Sequence, residues 1–213
     1  MDSIGLGDAG SVALDIAAVI QANQARLGEI DGAIGDGDHG VNMGKGFRIA
    51  AERMRAAPQN LADGFETIGE TLLGDIGGSM GPLYGTFFSE MAGSLKGESE
   101  LTSAGFSRML HAGVEAIVDL GGARPGDKSL VDVLIPARDA FDAALAGGKD
   151  FAGALSGMAA AAEAGLESTR GMVARIGRAA RLGERSRGHL DAGAASCALI
   201  LSTLAEGLRG KLG

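Results

Sequence analysis

Apolar residues recur along this chain every three or four positions, the spacing that gathers them on one face of a helix. No segment alternates apolar and polar positions over many residues, and β-branched and aromatic residues are sparse, so strand signals are nearly absent. The periodicity predicts helices at about 10–28, 41–57, 60–75, 80–94, 101–120, 128–147, 150–169 and 191–211. Several have plausible first-turn caps: Asp8 or Ser11, Asn60, Thr102 or Ser103, and Asp191. Glycines mark stops at Gly28, at Gly121-Gly122 and at Gly147-Gly148. Short loops between eight helices make neighbours mostly antiparallel. The expected fold is all-α, a single eight-helix antiparallel bundle or barrel spanning 1–213 as one domain. No Pro/Ser-rich linker or internal repeat divides it.

Composition sharpens this picture. Of the 213 residues 46% are hydrophobic, but aromatics are only 4%, with no Trp and one Tyr (Tyr84), so the core must be built from Ala, Leu, Ile, Val and Met packed through small residues. The lone cysteine, Cys197, rules out an internal disulfide and reads as a small core residue in the apolar run 194–201. Met1-Asp-Ser-Ile opens acidic, without the basic start of a leader, and charges and glycines break every apolar run well short of ~20 residues. The expectation is a cytoplasmic protein with no membrane partner. A net charge of −8 argues against a nucleic-acid partner. The charge is uneven, however. Arg170, Arg175, Arg178, Arg181, Arg185 and Arg187 face a single acid, Glu184, within 170–187, which suggests a local anion site.

Four glycine-containing loops stand apart: 29–40, 76–82, 121–129 and 170–191. In an up-and-down bundle these follow helices one, three, five and seven and fall at one end. The first packs Asp31, Asp36 and Asp38 among Gly32, Gly35, Gly37 and Gly40. Such clustering of like charge becomes favourable around a hard cation such as Mg²⁺, Ca²⁺ or Mn²⁺. Gly35-Asp-Gly-Asp-His-Gly40 also fits G-x-G-x-x-G, but no strand precedes it and two aspartates would repel pyrophosphate. An EF-hand fails because position twelve is Asn42 or Phe47 instead of Glu. A solvated acidic turn is the plain alternative.

The second loop, Gly77-Gly-Ser-Met-Gly81, opens a helix with Pro82 near its first turn, a place where free amides bind phosphate oxygens. Arginines clamp phosphate and neutralise charge developing on it. Metal, amide cradle and arginine are the parts of a phosphoryl-transfer site, here without a Walker sequence. Each part also has an ordinary reading: a tight turn at Gly77–Gly81, Glu184 paired with Arg181 or Arg187, and Asp127 with Lys128 as a helix-start pair. His111 reads as an ordinary helix residue, whereas His39 and His189 sit in the marked loops.

Four ordered blocks, 31–43, 77–85, 126–132 and 177–193, resemble the L subunit of bacterial dihydroxyacetone kinase, and the resemblance runs through nearly the whole chain. It implies an eight-helix barrel with the nucleotide at one end, ADP or ATP as cofactor, and two Mg²⁺ ions on Asp31, Asp36 and Asp38. It places His39, Gly40, Val41, Asn42, Ser79 and Met80 around the phosphates, and lines the rest of the pocket with Gly121, Gly122, Leu130, Arg178, Asp191, Ala192 and Gly193. Arg178 and His39 become the candidate catalytic residues. The implied partner is a K subunit that holds the ketose, joined by a phosphocarrier protein where bound ADP is rephosphorylated. A homodimer is a further partner expectation. Ser79-Met80, Ala192 and Ala180-Arg181 depart from the family's usual residues, and related systems act on four-carbon ketoses, so donor and sugar stay open. A fatty-acid-kinase domain and a non-enzymatic helical module are the alternatives.

Overall fold

The expected helices form, with nine α-helices among the described residues where eight were expected. The computed structural model describes residues 3–57 and 59–212; the acidic start at Met1-Asp2 lies outside them. The helices are α1 (Ser11–Ala22), α2 (Gln24–Ile34), α3 (His39–Arg55), α4 (Leu61–Asp75), α5 (Met80–Ser94), α6 (Ser103–Gly121), α7 (Val131–Ala146), α8 (Phe151–Ser168) and α9 (Ala192–Leu212). Short 3-10 segments, Thr169–Gly171 and Arg178–Ser186, fill the arginine-rich stretch.

The extra helix comes from a break at Asn23. Its φ of −100° and ψ of 9° leave the helical region, and its side-chain amide donates to the Val19 carbonyl at 2.9 Å instead of letting one rod continue. Gly28 is then no stop. The helix runs through it to Ile34, because Gly28 serves packing: a Cβ on Gly40 would lie 2.5 Å from the Gly28 nitrogen and 2.0 Å from the Gln24 carbonyl. α2 and α3 therefore meet backbone to backbone, and Asp31 stands on the last turn of a helix, not in a loop.

The caps follow the sequence in three cases. Asn60 accepts from the Asp63 amide at 2.9 Å in a reciprocal box, Thr102 from Gly105 at 3.0 Å and Asp191 from Ala194 at 2.7 Å. α1 differs: Gly10 precedes it with no side-chain cap, so neither Asp8 nor Ser11 fills that role. α6 stops at Gly121 with Gly122 left-handed at φ 61°, and Gly147 ends α7. One element was invisible in the sequence. Ser3–Gly5 (β1) pairs antiparallel with Glu100–Thr102 (β2), setting buried Ile4 against Leu101. Three residues per strand are too few to show alternation.

Sequence neighbours from α3 to α9 pack in succession, and α9 packs back on α1, which itself packs on α3. A single cluster of buried side chains runs from Ile4 to Leu212. All seven phenylalanines lie in two sets of touching rings, one around Phe88 (Phe47, Phe65, Phe87) and one of Phe106, Phe141 and Phe151. Ala, Leu, Ile, Val and Met fill the rest, as a chain poor in aromatics requires. Cys197 is buried among them, and burial pushes its thiol up. Among the described residues no helix is long and apolar enough to cross a membrane.

Small residues set the helix spacing, which two glycines of α8 test. A Cβ at Gly165 would meet the Asp132 carbonyl at 2.4 Å and the Val133 Cα at 3.0 Å, backbone that cannot rotate away. At Gly157 the nearest atoms stand at 3.7 and 3.8 Å, ordinary contact. Gly165→Ala should lose about 1–3 kcal/mol in denaturant unfolding through overpacking. Gly157→Ala should hold or gain up to about 1 kcal/mol from helix propensity. Equal effects of the two would show that close approach of α7 and α8 does not limit stability.

Candidate functional site

The turn from α2 into α3 carries three carboxylates to one point. Asp31 comes from the last turn of α2, Asp36 follows the helix end, and Asp38 directly precedes α3. Gly37, at φ 78°, makes the reversal that a side-chained residue would resist. Ligand oxygens of all three lie within 4.8 Å of one another. One Asp31 oxygen also accepts the His39 amide at 3.2 Å, which ties the two helices at the cluster.

Such a cluster needs positive charge, and Arg178 brings it. Its guanidinium pairs with Asp36 and reaches Asp38 at 3.4 Å across 140 residues of sequence. The donor set fits Mg²⁺: carboxylate oxygens only, with no thiolate or imidazole among them, and Asp36 and Asp38 exposed so that waters and phosphate oxygens can complete the shell. His39 is close by but engaged elsewhere.

Behind the carboxylates His39, Ser196 and Tyr84 form a buried polar chain joining α3, α9 and α5. His39 Nε2 lies 2.9 Å from the Ser196 hydroxyl, which lies 2.7 Å from the Tyr84 hydroxyl; both hydroxyls reach the Gly193 carbonyl, at 3.1 and 3.0 Å. Every donor is used if Nε2 carries the imidazole proton and donates to Ser196, Tyr84 donates to the Ser196 hydroxyl at 2.7 Å, and Ser196 donates to the Gly193 carbonyl. Burial lowers the His39 pKa to about 4 against the opposing pull of Asp31, so the ring is neutral near pH 7 and positions its neighbours without adding charge.

Across the opening the chain passes from α4 to α5 through Gly77, Gly78 and Ser79. Gly78 is left-handed at φ 73°, and among the described residues neither the Gly77 nor the Gly78 amide has an acceptor. Exposed free amides at a helix start favour an anion. The third wall is the turn before α7, where Asp132 accepts from the Gly126 and Ser129 amides at 2.5 and 2.8 Å and so places Leu130. The fourth is the start of α9. Asp191 caps it, its own amide donating to Thr169 at 3.1 Å, and burial raises its pKa to about 6.

These walls enclose a cavity of about 410 Å³ lined by Asp31, Asp36, Asp38, His39, Asn42, Ser79, Met80, Leu130, Arg178, Asp191, Ala192 and Gly193, all expected there. Four expected residues do not line it. Gly40 is spent on the α2–α3 contact, Val41 points outward at 58% exposure, and Gly121 and Gly122 end α6 outside the lining. His189 is exposed and also outside, and His111 bonds Asp142 at 2.7 Å. Glu184 pairs with Arg187, not Arg181.

Sequence reasoning missed Tyr84 and Ser196, which no motif marks as polar partners, and it misread Lys128. That side chain does not pair with Asp127; its ammonium turns inward onto backbone carbonyls. Ile176 and Gly177, beside Arg178, join the lining unannounced, as do Ile34, Leu83 and Lys128 itself.

The site's neighbours among known proteins agree with one another. A model of the DAK2 domain matches residues 33–206. The PEP-dependent dihydroxyacetone kinase 1, ADP-binding subunit DhaL, of Listeria innocua is 36% identical over 193 residues, which cover 90% of this chain and 91% of that one. Its Escherichia coli K12 counterpart is 37% identical over 177 residues, 83% of this chain and 84% of that one. L-erythrulose 1-kinase of Mycolicibacterium smegmatis is 37% identical across 87% of this chain, but only 33% of that longer protein is covered. Among solved structures, the dihydroxyacetone kinase from C. freundii in complex with AMP-PNP and Mg²⁺ superposes with a TM-score of 0.70 at 29% identity, over 92% of this chain. This chain spans 33% of that kinase chain. With a family match across most of its length and relatives more than one-third identical over nearly all of it, the chain belongs to the DAK2 domain family.

Proposed function

We propose that this chain is the nucleotide-holding phosphotransferase subunit of a dihydroxyacetone kinase-type enzyme. In this reading it binds ADP or ATP with two Mg²⁺ ions and passes a phosphoryl group to dihydroxyacetone, or a related short ketose, held on a separate K-type subunit. The observation that carries the reading is the meeting of three carboxylates, a free glycine amide pair and one arginine around a single opening.

Asp31, Asp36 and Asp38 would hold the metal. Bound Mg²⁺ supplies neutralisation of phosphate charge. The Gly77 and Gly78 amides would take phosphate oxygens, since both residues are exposed and neither amide has an acceptor among the described residues. Met80, Leu83, Leu130 and Ile176 offer apolar surface for the base. Arg178 already lies beside the carboxylates, where its planar fork can stabilise charge on the group in flight. His39 fixes the start of α3 through its amide and its Ser196 contact.

The donor and acceptor are read from the relatives. Three related proteins carry names that specify dependence on PEP and another dependence on the PTS, which supports retained ADP and a phosphocarrier as donor. Three others are named as erythrulose kinases, so a four-carbon ketose is a second acceptor to test.

Two outcomes follow. Alone, the chain should show almost no turnover with free ketose. Adding a cognate K-type subunit should restore it, and the restored rate should fall with added salt as exposed charges on the docking face are screened. Robust ketose phosphorylation by the purified chain without a partner would contradict this. Separately, Arg178→Ala and Arg178→Lys should each reduce transfer on the order of 10²-fold. Arg178→Ala also frees Asp36 and Asp38 from their ion pair, so Mn²⁺ affinity measured without nucleotide should rise or hold. Unchanged transfer in both variants would reduce the arginine block to surface charge.

A further inference from the structure

The segment between α8 and α9 leaves the helices, travels out to Arg178 and returns, forming an arm whose two legs lie side by side. Gly188 donates its amide to Arg170 at 2.8 Å, Arg187 its guanidinium to Gly171 at 2.5 Å, and Ala174 its amide to the Ser186 hydroxyl at 2.9 Å. The buried ammonium of Lys128 lies between the legs. It donates to the carbonyls of Thr169 (2.9 Å) and Met172 (3.3 Å) on the outgoing leg, and of Ser186 (2.7 Å) and His189 (2.6 Å) on the returning one. Three N–H donors thus serve four oxygens from both legs.

Lys128 is also the one non-glycine residue with positive φ among the described residues, at 63°. A left-handed backbone costs a side-chained residue about 1–2 kcal/mol, so glycine would suit the turn better unless the side chain is needed. At 2% exposure this ammonium has given up water for carbonyl dipoles. Burial lowers its pKa, with Arg170 and Arg187 pushing the same way and Asp191 opposing.

We propose that Lys128 is a positioning residue: its ammonium staples the two legs of the 169–189 arm and thereby holds Arg178 over the Asp31, Asp36 and Asp38 cluster. Its consequence for catalysis rests on the function proposed above; its consequence for the arm does not. Lys128 is not itself a phosphate contact, because its ammonium is saturated by backbone oxygens.

Two variants separate the staple from the turn. Lys128→Met keeps the reach of the side chain and loses the ammonium. Lys128→Gly relaxes the backbone and also loses it. Folded protein, verified by far-UV circular dichroism, is exposed to an arginine-specific protease and the cleavage sites are read by mass spectrometry. Both variants should be cut after Arg178 about 10-fold faster than wild type, as expected when a segment opens more often. Cleavage of either variant at the wild-type rate overturns the staple.

Transfer supplies the second arm, through a double-mutant cycle with Arg178→Ala. Lys128→Met should slow transfer about 10-fold in the wild-type background and less than about 2-fold when Arg178 is already gone, the non-additivity of residues that act as one. Additive losses overturn the link to Arg178. If wild type neither binds nucleotide nor transfers phosphate, the proposed function falls, while protease cutting still decides the staple.

Discussion

Three carboxylates within 4.8 Å of one another repel, and the chain brings them together only by surrounding them with compensating groups. Asp31 is placed by a helix end, and Asp36 and Asp38 by the glycine turn that follows, so the α2–α3 junction itself holds the three positions close together. Compensation arrives from far along the sequence. Arg178 is carried on an arm rooted at Thr169, just after α8, and at Asp191, which caps α9 at the cavity and donates its amide to Thr169. The constraint links the cluster to the arm, the arm to α9, and α9 to the rest of the helices.

The core makes such closeness affordable in structural terms. Backbones approach where glycine replaces larger residues, as at Gly40 against Gln24 and Gly165 against Asp132, so the elements that carry the site are held by packing instead of by flexible links. The polar chain of His39, Ser196 and Tyr84 then crosses three helices directly behind the metal-ligand candidates. Among the described residues no buried side-chain nitrogen or oxygen lacks a partner, so this chain is a satisfied network and stiffens the site floor. Rigidity behind and openness in front are what the proposed function requires, in which a held cofactor would meet its acceptor on another protein.

Much of this was legible in the sequence, for physical reasons that differ by element. Helices were visible because one face of each is buried, and caps such as Asn60 and Thr102 announce themselves by chemistry. The Asp31-Asp36-Asp38 cluster was visible because repeated like charge has few ordinary uses. The break at Asn23 was not, since a polar residue between two apolar runs reads equally as an exposed helix position. Gly28 looked like a stop because a glycine needed for tertiary packing carries the same letter as one needed for a turn. Lys128 was misread because sequence offers Asp127 as a partner, whereas its actual partners are backbone carbonyls at positions 169–189, which no sequence pattern displays.

The carboxylate cluster and the nucleotide are expected to bind as a coupled pair, and calorimetric titration of ADP at saturating Mg²⁺ and again in EDTA measures that coupling directly. ADP affinity should fall on the order of 10-fold or more when Mg²⁺ is removed, within the usual range for linked sites. Asp36→Asn should bind ADP weakly in both conditions while its unliganded fold stays as stable as wild type. Equal ADP affinity with and without Mg²⁺ in the wild-type chain would contradict a metal-held nucleotide at this site.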